Sequence, residues 1–279
     1  MESEDLEKFR NWLVSRGRGE DTADGYAYDI AASLACRNIT DRIVDKSLAP
    51  KTRRRIVASL RAWAAYTKDG DLLLTLKDIR LPPSKRKTVR RPLEREIWLE
   101  LIEAIRANRR FPPAIRATLL IISVRGLRVG DVLRMTHHDV SKAVSSGRLI
   151  FEAKGGHLQD FTAKPMLEGL GLLLEQGRWS RVADLICPDA KFPKRAARKR
   201  VHRALRAIAK RIGVETAEIY PHRLRRTYAV QFLRALKGDP EALQKLIAQM
   251  GWSGPSTALT YTDFLSSESL DEVDEKMRR

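Results

Sequence analysis

A short apolar run, ATLLIISV at residues 117–124, constrains the fold of this chain more than any other stretch. It lies within a longer helical pattern, PAIRATLLIISVRG, in which nearly every side chain is apolar. A helix that is apolar on all sides must be buried. A bilayer span would need roughly 20 apolar residues, and this run stops at Arg125. The pattern therefore predicts a buried core helix in a soluble protein. We expect that protein to be intracellular, because the acidic start MESEDLEKF has no apolar signal core.

The segments around this helix predict further helices and one β-hairpin. REIWLELIEAI, EALQKLIAQMG and STALTYTDFL show helical spacing, and FPKRAARKRVHRALRAIAKRIGV predicts a basic amphipathic helix. GRLIFEAKGGHLQDFTA predicts two strands, 149–153 and 158–163, joined by a glycine-containing turn. The predicted fold class is therefore mainly α with a small antiparallel sheet (α+β).

A proline-rich basic stretch, LPPSKRKTVRRPLE at residues 81–94, divides the chain. Proline interrupts helices and sheets, and like charges keep a chain extended. We predict a linker at 82–92 between a helical domain at 1–81 and a second domain at 93–279. The first domain contains three predicted helices, in DLEKFRNWLVSRG, DTADGYAYDIAASLACR (with Asp21 as its N-cap) and APKTRRRIVASLRAWAAYT.

The charge balance indicates a polyanionic partner. Lys and Arg number 53 against 35 Asp and Glu, which gives a net charge of +18 and a pI near 10.2. Nucleic acid is the leading candidate, and a merely solvated basic surface is the alternative. Two clusters are predicted to contact phosphates, one at a helix start and one in the linker: Lys51, Arg53, Arg54, Arg55, Lys85, Arg86, Lys87, Arg90 and Arg91.

Four local patterns in the second domain could carry chemistry. Their reactive or anion-binding side chains are Arg128 in RGLRVGDVLRM, Lys154 in AKGGHLQDF, His222 and Arg225 in YPHRLRRTYAV, and Trp252 and Tyr261 in MGWSGPSTALTY. Each pattern alone also has a structural interpretation: an Arg128–Asp131 ion pair, an exposed loop lysine, a core histidine, or a packing tyrosine ring.

Taken in order, these patterns resemble the tyrosine recombinase (phage integrase) family, whose site contains Arg, Lys, His-x-x-Arg, His or Trp, and Tyr. RGLRVGDV is similar to the family box Thr-Gly-Leu-Arg-x-x-Glu-Leu, and HRLRRT to His-x-Leu-Arg-His-Thr. MGWSGPSTALTY is similar to Leu-Gly-His-Ser-Ser-x-x-Thr-Thr-x-x-Tyr and has the same length from glycine to tyrosine. The resemblance implies a helical core-binding domain followed by a catalytic domain.

The resemblance also implies a chemistry. Tyr261 would attack a DNA phosphodiester and form a 3′-phosphotyrosyl intermediate, which conserves the bond energy for rejoining. Arg128 and Arg225 would hold the non-bridging oxygens, His222 and Trp252 would bind the phosphate, and Lys154 would protonate the leaving 5′ oxygen. Asp131 would orient Arg128. The two arginines supply the positive charge, so no metal or other cofactor is expected.

The sequence departs from the family pattern at four positions: Trp252 for the commoner histidine, Arg226 for histidine, Asp131 for glutamate and Arg125 for threonine. The expected partners are duplex DNA and three further copies in a tetramer on two DNA sites. In that assembly the acidic tail SSESLDEVDEKMRR would dock on a neighbour through Leu270 and Val273. A monomeric type IB topoisomerase-like enzyme and a catalytically silent DNA-binding protein are the alternatives.

Overall fold

The computed structural model describes residues 3–81, 91–152, 158–190, 193–237, 239–252 and 254–262. The chain divides into two units, Met1–Thr88 and Val89–Arg279. Several predicted functional residues lie outside the described residues: Lys85, Arg86, Lys87, Arg90, Lys154, Leu270 and Val273.

The first unit is helical, and its core is rich in aromatic rings. Its helices are α1 (Ser3–Ser15), α2 (Glu20–Leu34), α3 (Asp41–Val44), α4 (Pro50–Thr67) and α5 (Gly70–Lys77). Phe9 of α1 is fully buried and meets Trp63 of α4 edge-on, with ring centroids 5.0 Å apart. Ile56, Leu60 and Trp63 form the buried stripe of α4, so the helical spacing of its apolar residues sets which face of α4 is inward.

The second unit places the apolar helix at the centre of its core. Its helices are α6 (Arg95–Ala107), α7 (Pro113–Arg125), α8 (Val129–Val132), α9 (His137–Ser146), α10 (Leu167–Leu174), α11 (Val182–Ile186), α12 (Pro193–Arg211), α13 (Pro221–Ala235), α14 (Ala242–Met250) and a last helix whose described residues are 255–262. Eleven of the thirteen residues of α7 are buried, as predicted from their composition. Along α12, Val201, Leu205 and Ile208 are buried and the basic side chains lie outside, as expected of an amphipathic helix.

The described strands form one antiparallel hairpin, β1 (Arg148–Glu152) and β2 (Leu158–Thr162). Both strands show alternating burial, so one face packs on the core and the other faces solvent. The register pairs Phe151 with Gln159 and Leu149 with Phe161 on the inner face. The hairpin prediction is confirmed to within one residue at each described end, and the fold class is mainly α with a small antiparallel sheet.

One helix start was predicted wrongly. Asp21 is the second residue of α2, and the N-cap is Gly19, whose extended backbone begins the helix without a side-chain cap. Glycine is accepted at this position, so the preference of aspartate for helix starts was a misleading signal here. Among the described helices, none is both long enough and apolar enough to cross a bilayer.

The start of the second unit is held by α13. Arg223 donates to the carbonyl oxygens of Arg91 and Pro92 at 3.0 and 3.4 Å, and Leu93 N–H donates to Thr227 Oγ1 at 2.9 Å. The chain that leaves the predicted linker is therefore fixed against the helix that carries His222 and Arg225, two of the predicted site residues.

Candidate functional site

The first part of the site lies where the buried helix α7 ends. Gly126 adopts a left-handed conformation (φ +68°), and a Cβ there would lie 2.6 Å from the Tyr228 ring, so only glycine fits this position. The chain then turns out of the core and presents Arg128, whose side chain is 35% exposed, just before α8. This arginine can therefore reach a ligand while its backbone is anchored in the core.

Asp131 is buried between two arginines. Its carboxylate lies 3.7 Å from Arg128 Nη1 and 2.5 Å from Arg134 Nη2. The predicted Arg128–Asp131 pair is present, but Arg134 makes the closer contact. Since Arg134 neutralises the buried carboxylate, Arg128 retains hydrogen-bonding capacity for an external anion.

Arg225 is the most deeply buried cation of the site, with only 2% of its surface exposed. Its Nη1 donates to the Gly126 carbonyl oxygen at 2.6 Å and its Nη2 to the Met250 carbonyl oxygen at 2.7 Å. Burial, followed by the nearby charge of Arg128, lowers the pKa of Arg225 to about 10. The guanidinium stays protonated at neutral pH, and its burial makes it a strong electrostatic partner for an anion.

Of the two aromatic residues of the last pattern, Trp252 contacts this arginine and Tyr261 stacks on Trp252. The Trp252 and Tyr261 rings stack, with centroids 5.2 Å apart and planes at 16°. The Arg225 guanidinium lies 5.7 Å from the centroid of the Trp252 ring. Tyr261 is 4% exposed, and its phenol is one of the groups that raise the pKa of Arg225 against the effect of burial. Tyr261 is thus both a packing ring and a neighbour of the phosphate-binding candidate.

The remaining two predicted site residues are His222 and Lys154. His222 is the second residue of α13 and is exposed, one helical turn before buried Arg225. It is placed to meet a ligand from solvent, while Leu224 and Ala229 on the same helix are fully buried. Lys154 lies outside the described residues, between β1 and β2.

A partly buried polar network next to the site was not predicted. Tyr228 Oη accepts hydrogen bonds from Arg125 Nη1 at 3.1 Å and from Gln249 Nε2 at 2.6 Å. The Arg125 guanidinium also lies 4.5 Å from the centroid of the Phe161 ring, and its burial lowers the pKa of Arg125. The network joins α7, β2, α13 and α14 behind Arg225. The unusual Arg125 was visible in the sequence, but its partners, far away along the chain, were not.

In the first unit, two residues of the predicted phosphate-binding cluster, Arg55 and Lys51, differ in their contacts. Arg55 donates from Nε and Nη2 to the two carboxylate oxygens of Asp29, which is fully buried, at 2.7 and 2.8 Å. This bidentate ion pair uses the Nε and Nη2 donors of Arg55, so Arg55 has a structural role within the first unit and is not devoted to DNA binding alone. Lys51, in contrast, is exposed in the first turn of α4.

A second basic surface, absent from the predicted contacts, lies on α12. Its exposed side chains are Arg195, Arg198, Lys199, Arg200, Arg203, Arg206, Lys210 and Arg211. Arg198 approaches the segment between Arg128 and Asp131, since a Cβ on Gly130 would lie 3.3 Å from its Nη2. The charge of α12 therefore continues to the site at the end of α7.

Comparisons with known proteins agree with this architecture. A family model described as the phage integrase family matches residues 93–268. The fold is similar to that of the XerA recombinase (TM-score 0.51, 18% identity, 98% of each chain covered). It is also similar to a lambda integrase dimer bound to a COC' core site (TM-score 0.59, 19% identity, 92% of this chain and 75% of that one). A third similar structure is the XerH site-specific recombinase bound to a palindromic difH substrate in a post-cleavage complex (TM-score 0.59, 16% identity, 100% and 85%). No curated protein sequence matches the chain.

Proposed function

Because the chain belongs to the phage integrase family, the tyrosine recombinases that break and rejoin DNA, we propose that Tyr261 is its nucleophile in a site formed with Arg128, Arg225, His222 and Trp252. The observation that carries the assignment is the stacking of Tyr261 on Trp252, whose ring lies against buried Arg225. A tyrosine close to an anion-binding arginine supports a role in attacking a phosphate that the arginine would hold.

In the proposed step, the Tyr261 phenol oxygen forms a bond to phosphorus and the bond from phosphorus to the 5′ oxygen breaks. The phenol proton passes to His222, and the leaving 5′ oxygen takes a proton from the Lys154 ammonium. The 3′ phosphate is then esterified to tyrosine, and rejoining is the same step in reverse. A phenol of ordinary pKa near 10 is a weak nucleophile at neutral pH, so the site must stabilise the transition state rather than the substrate alone.

Arg128 and Arg225 supply that stabilisation. Negative charge grows on the non-bridging oxygens as the phosphorus becomes five-coordinate, and preorganised cations are most effective where charge develops. Arg225 is held in place by two backbone carbonyls before any ligand binds. Arg128 is the more exposed of the two and meets the phosphate from the solvent side.

Duplex DNA is the proposed partner, with Lys51, Arg53, Arg54, Arg91 and the exposed face of α12 contacting phosphates. The net charge of +18 supports this assignment. We propose four protomers on two DNA sites, with the C-terminal tail docking on a neighbour. A lambda integrase of similar fold forms a tetramer bound to a Holliday junction, which supports an assembly of four protomers.

A nicked suicide substrate tests the proposal. Wild-type protein incubated with its DNA site, nicked close to the cleavage position, should accumulate a covalent protein–DNA adduct that resists denaturant. Binding without any adduct would refute cleavage and favour the silent DNA-binding alternative. Gel filtration of the DNA complex distinguishes a tetrameric recombinase from a topoisomerase-like monomer, because only the former gives a complex of four protomers and two duplexes.

A further inference from the structure

Gln159, a residue outside the proposed catalytic set, contacts the segment that carries Trp252. It lies on the inner face of β2 and is 5% exposed. Its Nε2 donates to the carbonyl oxygen of Gly251 at 3.3 Å. This hydrogen bond joins the hairpin to the end of α14, which is distant from it in sequence.

Gly251 lies against the buried Gln159 side chain, which occupies the space that a Cβ at position 251 would take. Gly251 ends α14 in a left-handed conformation, with φ +58°. A Cβ at this position would lie 1.4 Å from Gln159 Nε2 and 2.3 Å from its Cδ. Glycine is therefore favoured at position 251 for two reasons: its backbone angle is left-handed, and the Gln159 side chain occupies the space that a Cβ would take.

The segment in contact with Gln159 holds two parts of the proposed site. On one side, the Met250 carbonyl oxygen accepts a hydrogen bond from Arg225 Nη2 at 2.7 Å. On the other, Trp252 stacks on Tyr261. A shift at Gly251 would thus displace both the guanidinium that binds phosphate and the ring beside the nucleophile.

We propose that Gln159 is a positioning residue for DNA cleavage. It holds the Met250–Trp252 turn in the position that aligns Arg225, Trp252 and Tyr261. The inference rests on the proposed function of that site. It follows from the Gln159–Gly251 hydrogen bond and the lack of space between the two residues. A misplacement of about 1 Å is enough to slow a reaction about 100-fold.

Two variants separate the hydrogen bond from the volume of the side chain. Gln159→Met keeps a side chain of similar length but cannot donate, whereas Gln159→Ala removes both. We expect single-turnover adduct formation to fall about 10-fold for Gln159→Met and about 100-fold for Gln159→Ala. DNA affinity and the Tm of Gln159→Met should stay close to those of wild type, because the methionine still fills the space.

A double-mutant cycle tests whether Gln159 acts through the turn. Gln159→Met combined with Trp252→Ala should be little slower than Trp252→Ala alone. If Gln159 acts through the turn, then Gln159→Met adds little once the Trp252 side chain that the turn positions is missing. Combined with Asp131→Asn, on α8, the two losses should multiply. Multiplicative losses in both pairs would overturn the proposal, as would an unchanged rate in both single variants.

A substrate with sulfur in place of the leaving 5′ oxygen gives an independent criterion. Its leaving group departs without a proton, so a defect on the leaving-group side is restored by sulfur. We expect the Gln159 variants to stay slow on this substrate, and restoration of their rate would overturn the inference. If wild-type protein itself forms no adduct on either substrate, the proposed function fails instead, so the two failures are distinguishable.

Discussion

The Trp252 and Tyr261 rings stack with centroids 5.2 Å apart, and the Arg225 guanidinium lies 5.7 Å from the centroid of the Trp252 ring. The contact gives Trp252 a packing role next to its expected role as an indole N–H donor. An aromatic pair contributes about 0.5–1.5 kcal/mol beyond its buried area, and a cation–π contact contributes about 1 kcal/mol more. Together they fix the plane of the proposed nucleophile.

The effect of a substitution at Trp252 on adduct formation should therefore depend on whether the new side chain can still stack on Tyr261. Trp252→Phe keeps a stacking ring, and we expect adduct formation within about 10-fold of wild type. Trp252→Ala loses the stack and the cation–π contact, about 2 kcal/mol together, which corresponds to a loss of about 30-fold. Single-turnover cleavage measures both. An active Trp252→His beside an inactive Trp252→Phe would show that the N–H matters more than the stack.

The two tyrosines near the site should behave in opposite ways. Tyr261→Phe should bind DNA with wild-type affinity and form no adduct, because it lacks the attacking oxygen. Tyr228→Phe should still form the adduct, since the Tyr228 hydroxyl is engaged by Arg125 and Gln249. The latter variant leaves buried Arg125 without its acceptor, and we expect unfolding free energy to fall by about 1–3 kcal/mol. An adduct that persists in Tyr261→Phe and disappears in Tyr228→Phe would move the nucleophile to Tyr228.

The sequence was most informative where local pattern decides structure. The apolar composition of α7 predicted its burial, and the stretch GRLIFEAKGGHLQDFTA predicted the hairpin. The order of reactive residues predicted which side chains meet, and the structure brings Arg128, Arg225, Trp252 and Tyr261 into one neighbourhood.

The contacts that could not be predicted join residues far apart in the chain. Nothing near Gln159 in sequence indicates Gly251, and nothing near Arg125 indicates Tyr228 or Gln249. Arg134 was missed for another reason. It lies three residues after Asp131, a spacing as favourable for an ion pair as that of Arg128, and only the fold shows that the carboxylate is shared.

The shared carboxylate predicts different effects for its two arginines. Arg128→Gln should abolish the adduct, because it removes a charge that binds the phosphate. Arg134→Gln should leave cleavage within about 10-fold of wild type and lower stability by about 1–3 kcal/mol, because it leaves the buried Asp131 carboxylate with only the longer Arg128 contact. Adduct assays and thermal unfolding of the two variants measure cleavage and stability. Equal losses of cleavage would mean that Arg134 also contacts the DNA.

Arg225 should not tolerate lysine. The guanidinium bonds two carbonyl oxygens on different segments, at Gly126 and Met250, and a single ammonium lacks this fork geometry. A buried carbonyl left unpaired costs about 1–3 kcal/mol. We expect Arg225→Lys to lower the unfolding free energy by that amount and to reduce the cleavage rate at least about 100-fold. Wild-type stability and activity in Arg225→Lys would contradict the two-carbonyl anchor.

The basic cluster of α4 offers a matched pair of variants, Lys51→Ala and Arg55→Ala. Lys51 is exposed, so its loss should reduce the slope of log affinity against log salt by about 0.9 without a change in Tm. Arg55 holds the buried carboxylate of Asp29, so its loss should lower the Tm of the first unit, at a cost of about 1–3 kcal/mol. Binding titrations over a salt series and thermal melts measure the two effects. If Arg55→Ala melts like wild type and shows a reduced salt slope, the Arg55–Asp29 pair is dispensable for folding and Arg55 binds phosphate as the sequence alone predicts.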